Sequence, residues 1–184
     1  FGRIWILKFA SSSKSCIILN ETDHKGLVVK SMSFLEFQAG IDRIRALLLG
    51  SQLQDFLIEE KDIIFLFYSN KSMPLRLSFR TPPLFFLESN SFKLNGDSKK
   101  TPIALFLKSH FLRKTISSIK HEQGWGRRFE IHFVGEVSDS FYIEVILVPG
   151  FQNLGLYAGD KKIFWQKPKE LSDAVVDNQV QSLD

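Results

Sequence analysis

Apolar residues recur at intervals of three and four between residues 33 and 50, which is the pattern of one face of an α-helix. Ser33 and Glu36 have the spacing of a capping box at the start of this segment, and Gly50 follows its last apolar residue. The pattern predicts an amphipathic helix over residues 33–49. Its apolar face contains Phe34, Phe37, Ile41, Ile44, Leu47 and Leu48.

Short apolar runs separated by turn-forming residues predict β-strands on both sides of this helix. Leu75, Leu77 and Phe79 alternate with polar residues, as in a strand with one buried face. Gly159 and Asp160 predict a hairpin turn between the last two strands. The predicted strands cover residues 3–9, 15–19, 26–30, 53–58, 63–68, 75–79, 84–87, 129–134, 141–148, 154–157 and 162–165.

A second helix is predicted over residues 101–113, with Thr101 as its N-cap and Pro102 in its first turn. Apolar residues follow at helical spacing, and His110 lies among them, which favours a partly buried structural histidine over a ligand. We expect the polar residues that follow this helix to form a loop. The helical residues expected to be largely buried are Phe37, Ile41, Ile44, Phe106 and Leu107.

These elements predict one β-rich α+β domain rather than several domains. A length of 184 residues suits a single domain, and 18 phenylalanines favour strands and a dense core. We assign residues 1–30 to an N-terminal β-hairpin extension, residues 31–167 to the main domain and residues 168–184 to a polar tail.

The residue types needed for catalysis or metal binding are sparse and do not have the spacings of known sites. Cys16 is the only cysteine and lies beside Ile17, which favours a small buried apolar role. The four histidines include no H-x-x-x-H pair, and the chain contains neither a G-x-G-x-x-G nor a G-x-x-x-x-G-K-S/T loop. The sequence therefore predicts no catalytic residues, no metal and no cofactor.

No apolar run reaches the length of about 20 residues that a membrane-spanning helix needs. The first residues also lack the charged, apolar and small-residue series of a secretion signal. We therefore expect a cytoplasmic protein with no membrane partner.

Positive charge is concentrated in one part of the chain. Residues 93–128 hold nine lysines and arginines against two acids, a net of +7, whereas the remainder holds fifteen against eighteen, a net of −3. This asymmetry points to an anionic partner for the basic stretch. The alternative is a basic surface that only interacts with solvent.

Within the basic stretch, Trp125 lies between Gly124 and Gly126, so we expect its side chain to be displayed and able to stack on a base or on a protein. The alternative is that Trp125 plugs a sheet edge and the nearby arginines only solubilise it. The candidate nucleic-acid-binding residues are Lys108, Arg113, Lys114, Lys120, Trp125, Arg127 and Arg128.

Several short motifs follow one another after the second predicted helix. Ile116 and Ile119 form an I-x-x-I pair, and the sequence Gly-Trp-Gly-Arg occupies residues 124–127. Residues 149–154, which contain Asn153, precede the final predicted hairpin. Together with the first predicted helix and the strands after it, this order resembles the N-terminal domain of the NFACT family, the ribosome-associated quality-control and fibronectin-binding-protein-A-like proteins.

The resemblance implies a twisted two-layer β-sandwich with two flanking helices, similar to the N-terminal domain of formamidopyrimidine-DNA glycosylases. It also implies that residues 124–127 correspond to a G-x-D-R stretch that the family links to transfer-RNA engagement, although Gly126 replaces the aspartate here. Glycosylase activity is not expected, because Phe1 and Gly2 replace the Pro-Glu with which those enzymes begin.

We therefore expect a non-catalytic module that binds structured RNA, either ribosomal or transfer RNA, in a ribosome-associated role in translation quality control. The alternative is a protein-interaction or adhesin-type module that has lost RNA binding. Convergence of the basic side chains on one face would favour RNA. Scattering of these side chains, or their pairing with acids, would favour a protein partner.

Overall fold

The computed structural model describes residues 6–8, 17–19, 32–88, 100–122, 124, 126–135 and 140–168. The chain divides into two compact units, residues 1–30 and residues 31–184. In the first unit, β1 (Ile6–Lys8) pairs antiparallel with β2 (Ile17–Leu19), as predicted for a hairpin. Cys16, the predicted strand at 26–30 and residues 169–184 of the predicted tail lie outside the described residues.

The second unit contains two antiparallel sheets and two helices that share one hydrophobic core. Its elements, in chain order, are α1 (Phe34–Leu48), β3 (Gln52–Ile58), β4 (Asp62–Tyr68), β5 (Ser72–Ser78), β6 (Leu84–Leu87), α2 (Pro102–His110), β7 (Ile116–Lys120), β8 (Arg128–Phe133), β9 (Phe141–Ile146), β10 (Asn153–Ala158) and β11 (Lys161–Phe164). The sheets have the orders β3-β4-β5-β6 and β11-β10-β9-β8-β7. The predicted α+β sandwich with two helices is confirmed.

The first helix has the caps that its sequence predicts. The Ser33 amide donates to Glu36 Oε2 at 2.6 Å and the Glu36 amide donates to Ser33 Oγ at 3.2 Å, which completes the capping box. Gly50 has a φ of 77°, a conformation that suits glycine after a helix. The buried residues of α1 are Phe37, Ile41, Ile44 and Leu48.

The second helix is shorter than predicted. Thr101 Oγ1 accepts from the Ala104 amide at 3.3 Å, but α2 ends at His110 rather than at Arg113. The amide of Arg113 donates to the Leu53 carbonyl at 2.7 Å, so a tertiary hydrogen bond replaces the next helical one. His110 is partly buried with its ring 4.6 Å from that of Phe106, as expected.

The burial predicted for this helix is correct for one residue and wrong for another. Leu107 is fully buried, whereas Phe106 is only partly buried because its ring packs beside His110 near the helix surface.

Residues 116–120 form strand β7 and not the predicted loop. Ile116 and Ile119 are both buried although they are three residues apart, which is not the two-residue period of a regular strand. A register shift between Ile116 and Ser118 in the pairing with β8 explains this spacing. Because of the extra residue of the bulge, both isoleucines point to the core, and the sequence of this strand lacks the two-residue alternation that would have predicted it.

A short backbone ladder joins the two sheets. Its bonds connect the Gly50 amide to the Ile116 carbonyl (3.1 Å), the Ile116 amide to the Ser51 carbonyl (2.8 Å), the Leu53 amide to the Lys114 carbonyl (3.0 Å) and the Arg113 amide to the Leu53 carbonyl (2.7 Å). Gln52 and Thr115 face each other in the middle as an antiparallel bridge. We call this ladder the seam, since β3 meets the start of β7 along it.

The core under α1 is aromatic. The ring of Phe85 on β6 lies 5.6 Å from that of Phe37 and 5.3 Å from that of Phe129, so it joins α1 to both sheets. Gly40 leaves room for this ring, because a Cβ there would lie 2.7 Å from Phe85 Cζ. The glycine in the middle of α1 is therefore explained by close packing.

We predict that Gly40→Ala lowers the free energy of unfolding, although the same change in an open helix raises it by about 1 kcal/mol. Phe85 is buried and held by other rings, so overpacking at about 1–3 kcal/mol should exceed the gain in helix propensity. Urea unfolding measures the effect. In a Phe85→Leu background, Gly40→Ala should lower the free energy of unfolding by less, or should raise it. A higher free energy of unfolding for Gly40→Ala in the wild-type background would contradict the packing argument.

Candidate binding surfaces

The structure divides the predicted basic site between the two ends of β7. Lys108, Arg113 and Lys114 lie at the C-terminal end of α2 and before β7, whereas Lys120 and Arg128 lie at the far end of β7 and the adjoining start of β8. A strand of five residues is roughly 17 Å long. We call the first group the α2-end cations, and we call Lys120, Arg127 and Arg128 the turn cations.

Arg128 belongs to a polar network on the outer face of the five-stranded sheet. Its Nη2 lies 2.6 Å from Glu144 Oε1 and 3.7 Å from Glu130 Oε1. The Tyr157 hydroxyl donates to Glu144 Oε2 at 2.9 Å, and Glu144 is buried. Arg128 therefore compensates a buried carboxylate, and a phosphate would have to compete with that carboxylate.

The other turn cations also lie among acids. Burial lowers the pKa of Arg127, while the negative charge of Glu36 acts in the opposite direction. Lys120 is exposed, and Glu130 is its Cα partner on β8. This end of the sheet therefore carries mixed charge rather than the positive patch that the sequence suggested.

Trp125 lies outside the described residues, so its displayed position remains a prediction. Its neighbours Gly124 and Gly126 have φ values of 91° and 61°, conformations that favour glycine. They belong to the connection between β7 and β8, at residues 121–127.

The α2-end cations make no ion pair with any residue that the structure describes. Lys108 and Arg113 are exposed, and Lys114 Nζ lies 3.7 Å from the centre of the Phe141 ring. Part of this charge has a structural use, because cations in the last turn favour the helix dipole. Lys108 occupies that turn, whereas Arg113 does not.

A row of four side chains crosses the seam on the outer side of both sheets. Tyr68 pairs with Gln52, Gln52 pairs with Thr115, and the Val134 amide donates to the Thr115 carbonyl. Tyr68 and Val134 are 49% and 55% exposed at the two ends of the row. The sequence of β4 is apolar from Ile63 to Tyr68, so no alternation indicates that Tyr68 faces outward, and its neighbours across the seam come from distant segments.

Beside that row, stacked rings cover the outer face of the five-stranded sheet. His132 stacks on Tyr142 with ring centres 5.1 Å apart, Tyr142 stacks on Tyr157 at 4.3 Å, and Phe164 meets Tyr157 edge-on. A Cβ at Gly155 would lie 2.9 Å from the Tyr157 ring. Because the faces of the two tyrosine rings stack against each other, they do not form an open platform on which a base could stack.

Asn153, which belongs to the motif at residues 149–154, has a structural role. Its Oδ1 accepts from the Gln166 amide and its Nδ2 donates to the Gln166 carbonyl, both at 3.0 Å, which holds the segment after β11 against β10. A small groove beside it is lined by residues 150–153, Gln166 and Lys167. The described residues include no group of three His, Cys, Asp or Glu side chains that could hold a metal, and no helix among them is long and apolar enough to span a membrane.

Comparison with known proteins identifies the fold and not the family. No protein-family model and no curated protein sequence matches the chain. The N-terminal domain of the fibronectin-binding protein PavA from Streptococcus pneumoniae aligns with a TM-score of 0.64 and 16% identity, over 77% of this chain and 56% of that one. The N-terminal part of the fibronectin/fibrinogen-binding protein from Streptococcus suis gives 0.61 and 17%, over 77% and 54%.

The fibrinogen-binding protein from Staphylococcus aureus gives a TM-score of 0.54 and 19% identity, over 75% of this chain and 50% of that one. The chain thus spans about half the length of these structures. At these identities the likeness establishes the fold alone. The structural alignments with these fibronectin- and fibrinogen-binding proteins therefore support the fold that the sequence resemblance implied.

We predict that Arg128→Ala lowers the free energy of unfolding by about 1–3 kcal/mol, because Glu144 would remain buried with one charged partner fewer. Lys120→Ala is the matched control on the same sheet face, and it should change stability by no more than about 0.5 kcal/mol. Chemical denaturation measures both variants. Equal effects would show that Arg128 is an ordinary surface cation.

We also predict that stability falls as the pH rises above about 10. Burial first, and then the charges of Glu130 and Glu144, raise the pKa of Tyr142, and burial with Glu144 raises that of Tyr157. In the unfolded chain the phenols lose their protons near the usual tyrosine pKa of 10.0, whereas in the folded chain they keep them to higher pH. The unfolded state therefore binds fewer protons, and it becomes more stable relative to the folded state as the pH rises. Denaturation midpoints for the wild type and Tyr157→Phe should converge at alkaline pH; parallel curves would contradict this.

Proposed function

We propose that this domain is a non-catalytic binding module whose partner is a protein. The observation that carries the proposal is the engagement of Arg128 with Glu144 and Glu130, together with the separation of the basic residues into two groups. The division of the cations into two groups and the pairing of Arg128 with acids favour a protein partner over RNA. The shared fold with domains of proteins named for fibronectin and fibrinogen binding supports the same class.

A binding role also fits the polar groups that the sandwich buries. Glu144 is paired with Arg128 and accepts a hydrogen bond from Tyr157, and Asn153 bonds the backbone of Gln166, so the described partners of these groups stabilise the fold. The groove beside Asn153 brings together amides and Lys167 without an acid and base pair. These arrangements support a module that acts by contact.

RNA binding is a second candidate, and the α2-end cations favour it. Three cations without a described acidic partner could neutralise phosphates, and Trp125 could then stack on a base. The ribosome-associated, cytoplasmic role in translation quality control belongs to this candidate. Three phosphate contacts would give a log–log salt slope of about −2 to −3.

Binding of the purified domain to immobilised fibronectin and fibrinogen, and to transfer RNA and ribosomes, at about 50 and 200 mM salt would separate the two candidates. We expect a protein probe to be retained at both salt concentrations and RNA to be released at the higher one. Combined replacement of Lys108 and Lys114 by serine is the control for RNA, because neither residue belongs to the row that crosses the seam. RNA binding that needs these residues, with no retention of either protein, would contradict the proposed function.

A further inference from the structure

Gln52 fixes the centre of the row that crosses the seam. Its Nε2 donates to the Arg113 carbonyl at 2.6 Å, and its Oε1 accepts from Gln54 Nε2 at 2.5 Å. Its side chain is therefore held between two neighbours. We define the seam surface as Tyr68, Gln52, Arg113, Thr115 and Val134.

Arg113 is held at this surface in an unfavourable backbone conformation. Among the described residues it is the one non-glycine with a positive φ, which is 66°. That conformation is sterically costly for an arginine, whereas a glycine would adopt it without strain. Its amide is bonded to Leu53, its carbonyl to Gln52, and its side chain is exposed. The fold thus requires the backbone of Arg113 but not its side chain.

Arg113 supplies the charge of the seam surface, and no acid that the structure describes is paired with it. Lys108 and Lys114 are near Arg113 in the sequence, but Lys114 Nζ lies over the ring of Phe141, which packs against the core. Glu59 and Asp62 lie at the opposite end of the four-stranded sheet, and Glu88 follows its edge strand β6; the three acids are paired with Arg76 at 3.1, 3.1 and 2.7 Å. Asp55, the acid of β3, lies beyond a bulge, and its Oδ1 accepts from the Phe56 amide at 2.8 Å.

The ends of the seam surface are apolar, and its centre is polar. Tyr68 and Val134 expose about half of their side chains, with Gln52 and Thr115 between them. Tyrosine and arginine are the residue types that most often anchor protein interfaces. The row crosses four adjacent strands, so its length is roughly 14 Å, or about four to five residues of extended chain.

We propose, resting on the proposed function, that the seam surface binds an extended acidic segment of a protein partner. A carboxylate of that segment pairs with Arg113, and apolar side chains on either side of it contact Tyr68 and Val134. Charge complementarity selects the acidic segment. The apolar ends distinguish it from a plain polyanion such as RNA.

The test uses fluorescence anisotropy with a labelled peptide of about ten residues, made of glutamates with two leucines about four residues apart. Two matched peptides carry glutamine in place of glutamate or serine in place of leucine. Arg113→Gly removes the cation at a φ that suits glycine, and Tyr68→Thr removes an apolar end while keeping a strand-forming residue. Leu35→Gln and Lys120→Ala are exposed controls outside the seam surface.

We expect the acidic leucine peptide to bind, and either seam variant to weaken it about tenfold or more. Both matched peptides should bind more weakly, and both control variants should bind within about twofold of the wild type. The inference is overturned if the peptide does not bind, or if the seam variants bind it as the wild type does. It is also overturned if the serine peptide binds equally and oligouridylate competes, since the surface would then recognise charge alone.

The same variants distinguish this inference from the proposed function. If fibronectin or fibrinogen is retained and the seam variants retain it equally, the domain binds protein through another surface and only the inference fails. If neither protein is retained while transfer RNA is, the proposed function fails as well.

Discussion

The backbone ladder between residues 50–53 and residues 113–116 is the constraint on which the rest of the second unit depends. It pairs segments about sixty residues apart, so its closure is a long-range event with a substantial entropic cost. Both helices end where this ladder begins. Gly50, which follows α1, has a positive φ, and the amide of Arg113, which follows α2, donates to the Leu53 carbonyl. The ends of both helices are therefore set by tertiary pairing as much as by local capping.

The ladder also determines where charge lies. Once residues 113–116 are paired, the chain must continue as β7, which separates the α2-end cations from the turn cations by the length of that strand. A sequence window counts both groups as one basic stretch, but the sheet brings Arg128 to Glu144, which is distant in the sequence. Net charge over a window therefore predicted one continuous basic site, whereas the folded chain divides these cations into two groups and pairs Arg128 with acids.

The elements whose patterns are local were predictable from the sequence, including the capping box of Ser33, the N-cap of Thr101 and most strands. Strand β7 was missed because a bulge changes its apolar spacing from two to three, which resembles helix or loop. Tyr68 and Val134 were missed as candidate residues for a different reason. Their proximity is created by strand pairing between distant segments, and no spacing within one segment encodes it.

The outer face of the five-stranded sheet adjoins the seam surface. The two surfaces differ in whether their polar and aromatic side chains are already engaged with other side chains of the domain. On the five-stranded sheet, Tyr142 and Tyr157 stack on each other and Glu144 accepts from Arg128 and Tyr157, so a ligand would have to break existing contacts. At the seam surface, the backbone of Arg113 is bonded but its exposed guanidinium forms no ion pair with a described acid. A new contact there replaces water rather than protein, so binding at the seam has the lower cost. For this reason the more aromatic face rigidifies the fold, and the less conspicuous one is the better candidate for recognition.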